Sequence, residues 1–254
     1  MLNSSSAVEE TVFLIKFKKK RKKSLSSEHV IMEGAPQGSA LSPILFLLAI
    51  DPLLRGIQSP CAAFADDIAL WVSWNGLPTD HRVRHLQQDL NQLSRVAQMW
   101  GFSFNVKKSN QIIFRRSTRN SPQLVMHLGE EDTPLKEVKE VKYLGVTFDR
   151  SLSFKSHINT VARRCAQRLG LFRSFSTPYV GPSCNQMMLL YRVLICPLLD
   201  YASPVWSRWV QNNSDLQPLI RIQRKALRMA SGALDGTSLE ALQVIIIVII
   251  IEIY

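Results

Sequence analysis

Two adjacent aspartates, Asp66 and Asp67, stand between two apolar runs of the 254-residue sequence. The runs Cys61 to Phe64 and Ile68 to Val72 have the composition of β-strands, which predicts a hairpin with both carboxylates at its exposed tip. Carboxylates held on a rigid hairpin provide oxygen ligands for a hard divalent cation such as Mg²⁺, as phosphoryl-transfer sites require. Aspartate is also common in solvated turns, where it bonds the local backbone, so the pair alone leaves both interpretations open.

A loop rich in turn residues precedes this hairpin and leads directly into an apolar segment. The loop is Gly34-Ala35-Pro36-Gln37-Gly38-Ser39-Ala40-Leu41-Ser42-Pro43, and the apolar segment is Ile44 to Leu54. Ser39 or Ser42 is expected to cap a helix here, and Pro43 suits its first turn. A glycine in such a loop lets the backbone approach a ligand closely, and a glutamine amide both donates and accepts hydrogen bonds.

Two further motifs follow the aspartate pair. The first is Trp100-Gly101-Phe102-Ser103-Phe104-Asn105 with Lys107-Lys108-Ser109 after it, and the second is Tyr143-Leu144-Gly145-Val146. With the loop and the aspartates, these motifs occur in the order found in one family of polymerases. The chain resembles the reverse transcriptases of non-LTR (LINE-type) retrotransposons, and the resemblance continues to about residue 232.

The resemblance implies a role for each motif. Asp66 and Asp67 would bind the catalytic Mg²⁺ ions, or Mn²⁺ in their place, with Asp66 the more direct ligand. Lys108 would protonate the leaving pyrophosphate, although Lys107 is a close competitor. The residues implied to contact nucleotide or template are Pro36, Gln37, Gly38, Phe64 and Ala65, and the implied primer grip is Tyr143, Leu144 and Gly145. Without the resemblance, the loop is interpreted as a helix-entry turn, the two lysines as a solvated pair, and Tyr143 to Val146 as a buried strand.

One carboxylate motif of the family has no match in the sequence. Two-metal phosphoryl transfer holds ions about 3.5–4 Å apart, and the family takes a further Asp from a strand upstream of the loop. No Asp precedes Asp51, and the earlier acids lack the apolar strand pattern of that motif; they are Glu9, Glu10, Glu28 and Glu33. The fingers and first palm strands are also expected to be absent, with His29 to Glu33 as the lead-in strand. We therefore expect little or no catalysis by this chain alone.

The composition is typical of a protein that binds phosphate backbones. Thirty-one Lys and Arg against 20 Asp and Glu give a net charge of +11, and the pI is about 9.8. A basic surface that only aids solubility is the alternative. The cysteines lack C-x-x-C spacing, which favours reduced thiols in an intracellular protein over a zinc site; they are Cys61, Cys165, Cys184 and Cys196. The resemblance implies an RNA template, a DNA primer and deoxynucleotides as partners, in the nucleus and/or cytoplasm, without membrane association.

Apolar periodicity predicts the elements between the motifs. Leu86, Leu90, Leu93 and Ala97 recur at helical spacing before the stop residue Gly101, so this helix should pack on one face of a sheet. Beyond residue 151, amphipathic helices are predicted around residues 158–172, 187–194 and 216–227. Three arginines along the first of these helices are either contacts to the nucleic-acid backbone or a solvated face; they are Arg163, Arg164 and Arg168.

The predicted fold is α+β of the polymerase right-hand type, with a partial palm of antiparallel sheet and packed helices followed by a helical thumb. Residues 1–27 are expected to be a disordered basic arm, 28–150 the partial palm, 151–236 the thumb-like region and 237–254 an apolar tail of unknown role. The basic run Lys16 to Lys23 resembles a nucleic-acid or nuclear-localisation patch, or is simply solvated. The apolar run Val244 to Ile251 is shorter than the roughly 20 residues of a membrane span.

We expect that apolar tail to lower solubility rather than to support the fold, and a membrane anchor is the alternative. Two functions remain after the sequence analysis. The first is a fragment of an RNA-directed DNA polymerase that is inactive alone. The second is a non-catalytic nucleic-acid-binding remnant or a degenerate open reading frame.

Overall fold

The computed structural model describes residues 8–16, 39–75, 80–115, 124–129, 133–175, 181–210 and 213–244. The chain divides into two compact units, residues 1–141 and 142–254, so the boundary expected at residue 150 falls inside the second unit. Both α-helices and β-strands are present, in agreement with the predicted mixture of the two. The predicted ligand contacts Pro36, Gln37 and Gly38 lie outside the described residues.

The first unit contains both strands and helices, and the second is mainly helical. The strands are β1 (Val8–Lys16), β2 (Cys61–Phe64), β3 (Asp67–Asn75), β4 (Asn110–Phe114), β5 (His127–Leu128), β6 (Thr133–Pro134), β7 (Lys136–Glu137), β8 (Glu140–Tyr143) and β9 (Val146–Asp149). The helices are α1 (Ser42–Arg55), α2 (Asp80–Met99), α3 (Lys155–Phe175), α4 (Cys184–Leu194), α5 (Cys196–Asp200), α6 (Ser203–Trp206) and α7 (Asn213–Ser231).

A five-stranded sheet with the order β2-β3-β1-β4-β7 forms the framework of the first unit. All neighbours are antiparallel except β4 and β7, which are parallel. The strand β1 pairs with β3 along its whole length, from Val8 opposite Asn75 to Lys16 opposite Asp67. Its other edge pairs with β4. The first strand in the chain is therefore interior to the sheet.

This position of β1 corrects two expectations. Residues 8–16 are part of the sheet and not of a disordered arm, and a strand upstream of the loop is present. The physical reason is the apolar run Val12 to Ile15, which suits a strand covered on both faces; Leu14 is 3% exposed and Ile15 is fully buried. The basic residues after Lys16 lie outside the described residues.

One face of this sheet packs against α2, as the helical periodicity predicted. The apolar cluster joins sheet residues to helix residues; its fully buried members are Ile15, Leu53, Ile68, Leu70, Leu86, Leu90, Leu93 and Ile113. The helix ends where expected, because Gly101 has φ +72° and the N–H of Phe102 donates to the Ala97 carbonyl at 2.8 Å.

The predicted cap of α1 is wrong. Leu41 occupies the N-cap position, and no side chain caps the helix by a hydrogen bond. The hydroxyl of Ser39 instead accepts from the N–H of Leu41, at 3.3 Å, within the preceding turn. Pro43 lies in the first turn of the helix as expected.

The second unit has its own apolar core between α3, α4 and α7. The three amphipathic segments predicted beyond residue 151 are these helices. A further helical segment at residues 239–244 adds Leu242, which is fully buried in the same core. Part of the segment to which the sequence assigned no role, residues 239–244, therefore belongs to this core, because Leu242 fills space between the helices.

Among the described residues, the stretch Cys184–Trp209 is long and apolar enough to cross a membrane by length and composition. In the structure it is divided into α4, α5, α6 and a 3₁₀ turn. Several of its apolar side chains are buried in the core of the second unit; they are Met187, Met188, Tyr191, Ile195 and Trp206. Other apolar side chains of the same stretch are exposed, among them Leu189 at 59%, Val193 at 61% and Trp209 at 55%.

Candidate functional site

A two-residue turn, Ala65-Asp66, joins β2 to β3 and carries the aspartate pair. Ala65 has φ +50°, in the left-handed region that residues other than glycine rarely adopt but that two-residue hairpin turns require. The predicted hairpin is therefore present, with one difference. Asp66 lies in the turn, whereas Asp67 is the first residue of β3 and has a fixed register, opposite Phe64 on one side and Lys16 on the other.

Lys16 forms an ion pair with Asp67. Its Nζ atom lies 3.3 Å from Oδ1 and 3.5 Å from Oδ2 of that carboxylate, so one ammonium group contacts both oxygens. The pair is only partly exposed, at 33% for the Lys16 side chain and 22% for Asp67. By composition, Lys16 belongs to the basic run Lys16 to Lys23, so it was not predicted to lie at the aspartates; the apolar run before it was the available signal.

The register also determines which face of the sheet carries this pair. Directly opposite residues of antiparallel strands share a face, and successive residues alternate between faces. Lys16, Asp67 and Phe64 therefore lie on one face, whereas Ile15 and Ile68 lie on the face that packs against α2. The side chain of Phe64 is 62% exposed. The aspartate hairpin thus presents its chemistry on the side away from α2.

The turn that carries the candidate lysines is attached to the same residue. The N–H of Asn105 donates to the Lys16 carbonyl at 2.6 Å, and the N–H of Lys16 donates to Ser109 Oγ at 3.1 Å. Ser109 is fully buried and donates in turn to the Asn105 carbonyl at 3.0 Å. Lys107 and Lys108, both exposed, lie within this 3₁₀ turn. The structure therefore brings the aspartate pair and the lysine pair to the end of β1.

The segment Tyr143-Leu144-Gly145-Val146 is a tight hairpin between β8 and β9, not a continuous strand. Leu144 has φ +44° and Gly145 has φ +83°, which is the pattern of a type I′ turn. Tyr201, which the sequence analysis did not single out, donates its hydroxyl to the Leu144 carbonyl at 2.8 Å. A Cβ atom at Gly145 would lie 3.0 Å from Tyr201 Cε1, so glycine suits both the turn and this contact.

Two cationic stripes run along helices of the second unit. The α3 stripe consists of Arg163, Arg164 and Arg168, all exposed. The α7 stripe follows i, i+3, i+4, i+7 spacing and so occupies one helix face; its members are Arg221, Arg224, Lys225 and Arg228. The opposite face of α7 carries the buried residues Leu219, Ala226 and Ala230. Arg228 also pairs with Asp235, at 2.7 Å.

Residues 6–148 match the family described as reverse transcriptase (RNA-dependent DNA polymerase), which is more than half of the chain. The chain belongs to this family. It is 27% identical over 214 residues to a probable RNA-directed DNA polymerase from transposon X-element of Drosophila melanogaster, with 82% of this chain and 23% of that protein covered. It is 29% identical over 219 residues to the RNA-directed DNA polymerase from mobile element jockey of Drosophila funebris, with the same coverage of 82% and 23%.

A third relative is a putative 115 kDa protein in type-1 retrotransposable element R1DM of Drosophila melanogaster, 26% identical over 231 residues, with 89% of this chain and 22% of that protein covered. No solved structure matches the chain. These relatives confirm the predicted resemblance to LINE-type reverse transcriptases. The chain spans less than a quarter of their length.

The family match begins at residue 6 and therefore includes β1, which was predicted to belong to a disordered basic arm. The strand is present, but the residue in register with Asp67 is a lysine. Among the described residues, no three His, Cys, Asp or Glu side chains lie close enough together to hold a metal ion.

Proposed function

We propose that this chain is part of a retrotransposon RNA-directed DNA polymerase, with most of a palm in the first unit and a thumb in the second. The observation that carries the proposal is the aspartate hairpin on an antiparallel sheet, with the lysine turn attached beside it, in a chain of the reverse transcriptase family. The chain binds nucleic acid but does not incorporate nucleotides by itself.

The absence of incorporation follows from the donor set at the hairpin. Polymerases of the two-metal type hold Mg²⁺ or Mn²⁺ between carboxylates from more than one strand. Here Asp66 and Asp67 come from one hairpin, and Lys16 neutralises Asp67 from the neighbouring strand. These side chains do not fit the binding of two divalent ions. In a complete site, Asp66 and Asp67 would be the ligands and Lys108 the proton donor to pyrophosphate.

Nucleic-acid binding rests on the cationic and hairpin surfaces of the second unit. The α3 stripe and the α7 stripe offer guanidinium groups to the phosphates of an RNA template paired with a DNA primer. The hairpin at Tyr143, Leu144 and Gly145 supports the primer strand. As the resemblance to the family implies, the residues expected to contact nucleotide or template are Phe64, Ala65, Pro36, Gln37 and Gly38.

Primer extension tests the catalytic half of the proposal. The purified chain is expected to extend oligo(dT) on poly(rA) in neither Mg²⁺ nor Mn²⁺, because the residue of β1 that lies opposite Asp67 is Lys16 and not a carboxylate. Incorporation by the wild type that disappears in Asp66→Ala would contradict this expectation. A polypeptide that supplies the preceding part of a relative should restore no activity while Lys16 is present; restored activity would show that the chain is a competent half-enzyme.

Binding of a labelled RNA–DNA hybrid at several salt concentrations tests the other half. Affinity should fall steeply with salt, with a slope near −0.9 per phosphate neutralised on a duplex. Changing Arg163, Arg164 and Arg168 together to Glu should weaken binding of all sequences alike and flatten the slope by about 2–3, one unit per lost contact. The matched control changes three exposed cations of the first unit to Glu: Arg95, Lys136 and Lys139. An equal effect in both triple variants would reject a specific role for α3.

A further inference from the structure

The aspartate hairpin is paired with a cationic side chain of the same chain, Lys16. Lys16 lies directly opposite Asp67 in the register of β1 and β3, and its ammonium group contacts both carboxylate oxygens. An ammonium group has three donors and no acceptor, so it cannot serve as a metal ligand. It also places a positive charge where a divalent cation would have to approach.

The backbone of Lys16 is fixed on both sides. It pairs with Asp67 in the sheet, accepts a hydrogen bond from Asn105 and donates one to the buried hydroxyl of Ser109. The ammonium group therefore cannot leave the hairpin by a movement of the strand end alone. Lys107 and Lys108 add two more positive charges in the attached turn.

We propose that Lys16 takes the place of a metal ion at the aspartate hairpin. Its ammonium group forms an ion pair there and keeps divalent cations away. The inference rests on the proposed function, since it treats the Asp66-Asp67 turn as a polymerase hairpin. It adds that one side chain of this chain prevents metal binding. Replacement of that side chain by a carboxylate should therefore create a divalent-cation site.

The register makes this conversion geometrically reasonable. Directly opposite residues of an antiparallel pair have Cβ atoms about 4.5–5.5 Å apart. A carboxylate introduced by Lys16→Asp would thus face Asp67 across a gap that one cation can bridge. Oxygen ligands from two strands are the type of donor set that Mg²⁺ and Mn²⁺ prefer.

Titration with Mn²⁺, followed by electron paramagnetic resonance without nucleic acid, tests the inference independently of the proposed function. The wild type should show no bound Mn²⁺ that depends on Asp67. Lys16→Asp should bind Mn²⁺ at least tenfold more tightly, and the addition of Asp67→Asn should abolish the gain. Lys136→Asp is the matched control, because it makes the same charge change at an exposed lysine of the same sheet; it should gain nothing.

Thermal melting gives a second readout. Without metal, Lys16→Asp should lower Tm because like charges then lie directly opposite. At about a hundredfold excess of Mn²⁺ over Kd, binding to the folded state should raise its Tm by roughly 5–10 °C and leave the wild type unchanged.

If Lys16→Asp does not fold, Lys16→Gln replaces it, since it removes the ammonium group without adding a charge. Its affinity for Mn²⁺ should exceed that of the wild type at least tenfold. The inference is overturned by wild-type Mn²⁺ binding that Asp67→Asn removes, or by the absence of any gain in the folded Lys16 variant.

Discussion

His157 is a buried imidazole whose two nitrogen atoms have different surroundings. Nδ1 accepts a hydrogen bond from the N–H of Thr147, at 3.3 Å, which fixes the remaining proton on Nε2. Nε2 is buried without a hydrogen-bond partner among the described residues. Burial, and then the positive charge of Arg164, lower the pKa of His157 below its ordinary value of 6.5. The ring is therefore neutral in the folded chain at pH 7.

This lowered pKa predicts a loss of stability in mild acid. The unfolded chain takes up a proton at His157 as pH falls through 6.5, whereas the folded chain resists it, so the free energy of unfolding decreases until the folded-state pKa is reached. Chemical denaturation at pH 7.5 and at pH 5.5 measures the difference. His157→Asn keeps an acceptor for Thr147 and cannot titrate; it should lose less stability between the two pH values than the wild type. Equal losses would show that another group is responsible.

At the scale of elements, a single carboxylate organises the connection from β9 to α3. Asp149 Oδ1 accepts from the N–H of Ser151 and of Ser153, at 3.1 and 3.0 Å, and Oδ2 accepts from the N–H of Phe154 at 2.7 Å. Both serine hydroxyls also donate to it. Burial raises the pKa of Asp149, but these hydrogen bonds outweigh burial, and the pKa lies below its ordinary value. The connection is tight, since Leu152 and Phe154 both have positive φ.

We expect Asp149→Ala to destabilise the second unit by about 2–4 kcal/mol, because several backbone donors lose a charged acceptor. Phe154, which is 1% exposed, would also lose the contact that fixes it at the start of α3. Urea denaturation measures the change in the free energy of unfolding. Asp149→Asn retains one oxygen that accepts hydrogen bonds, so it should lower the free energy of unfolding by less than Asp149→Ala does. A value near zero for Asp149→Ala would mean that the turn forms without its carboxylate.

At the scale of the whole molecule, the described residues form two apolar cores, and residues 239–244 contribute to one of them. Leu242 is fully buried among residues of α3, α4 and α7, and Leu239 packs against the same cluster. These contacts lie beyond Gly236, in the segment that the sequence predicted to be an apolar tail of unknown role. The second unit therefore extends past the three predicted helices.

Truncation after Gly236 is expected to lower the Tm of the second unit. It removes Leu242, and loss of a buried leucine side chain costs about 2–5 kcal/mol. Differential scanning calorimetry of the truncated chain measures the effect. Leu242→Ala in the full chain separates the lost core contact from the removal of the apolar tail, whereas Leu234→Ala, at an 83% exposed position, is the matched control. An unchanged Tm in both the truncated chain and Leu242→Ala would reject a structural role for this segment.

The sequence by itself determined the elements that depend on local pattern. Two apolar runs around Asp66 and Asp67 predicted their hairpin, and helical spacing with Gly101 predicted α2 and its end. Family membership also followed from the sequence, because the motifs lie in one order along the chain. Each of these inferences uses neighbours in the chain, where backbone preference and turn chemistry act directly.

Only the tertiary structure decided which residues complete the candidate site. Lys16 is 51 positions from Asp67, and Tyr201 is 57 positions from Leu144, yet both pairs are in contact. Lys16 belongs to the basic run, whose composition alone suggests a solvated arm. Pairing of β1 with β3 and β4 instead places Lys16 at the aspartates. Strand register is set by burial and hydrogen bonding between distant segments, and a shift of one residue would move Lys16 to the other face of the sheet. For that reason, local sequence pattern could not specify the charge that faces Asp67.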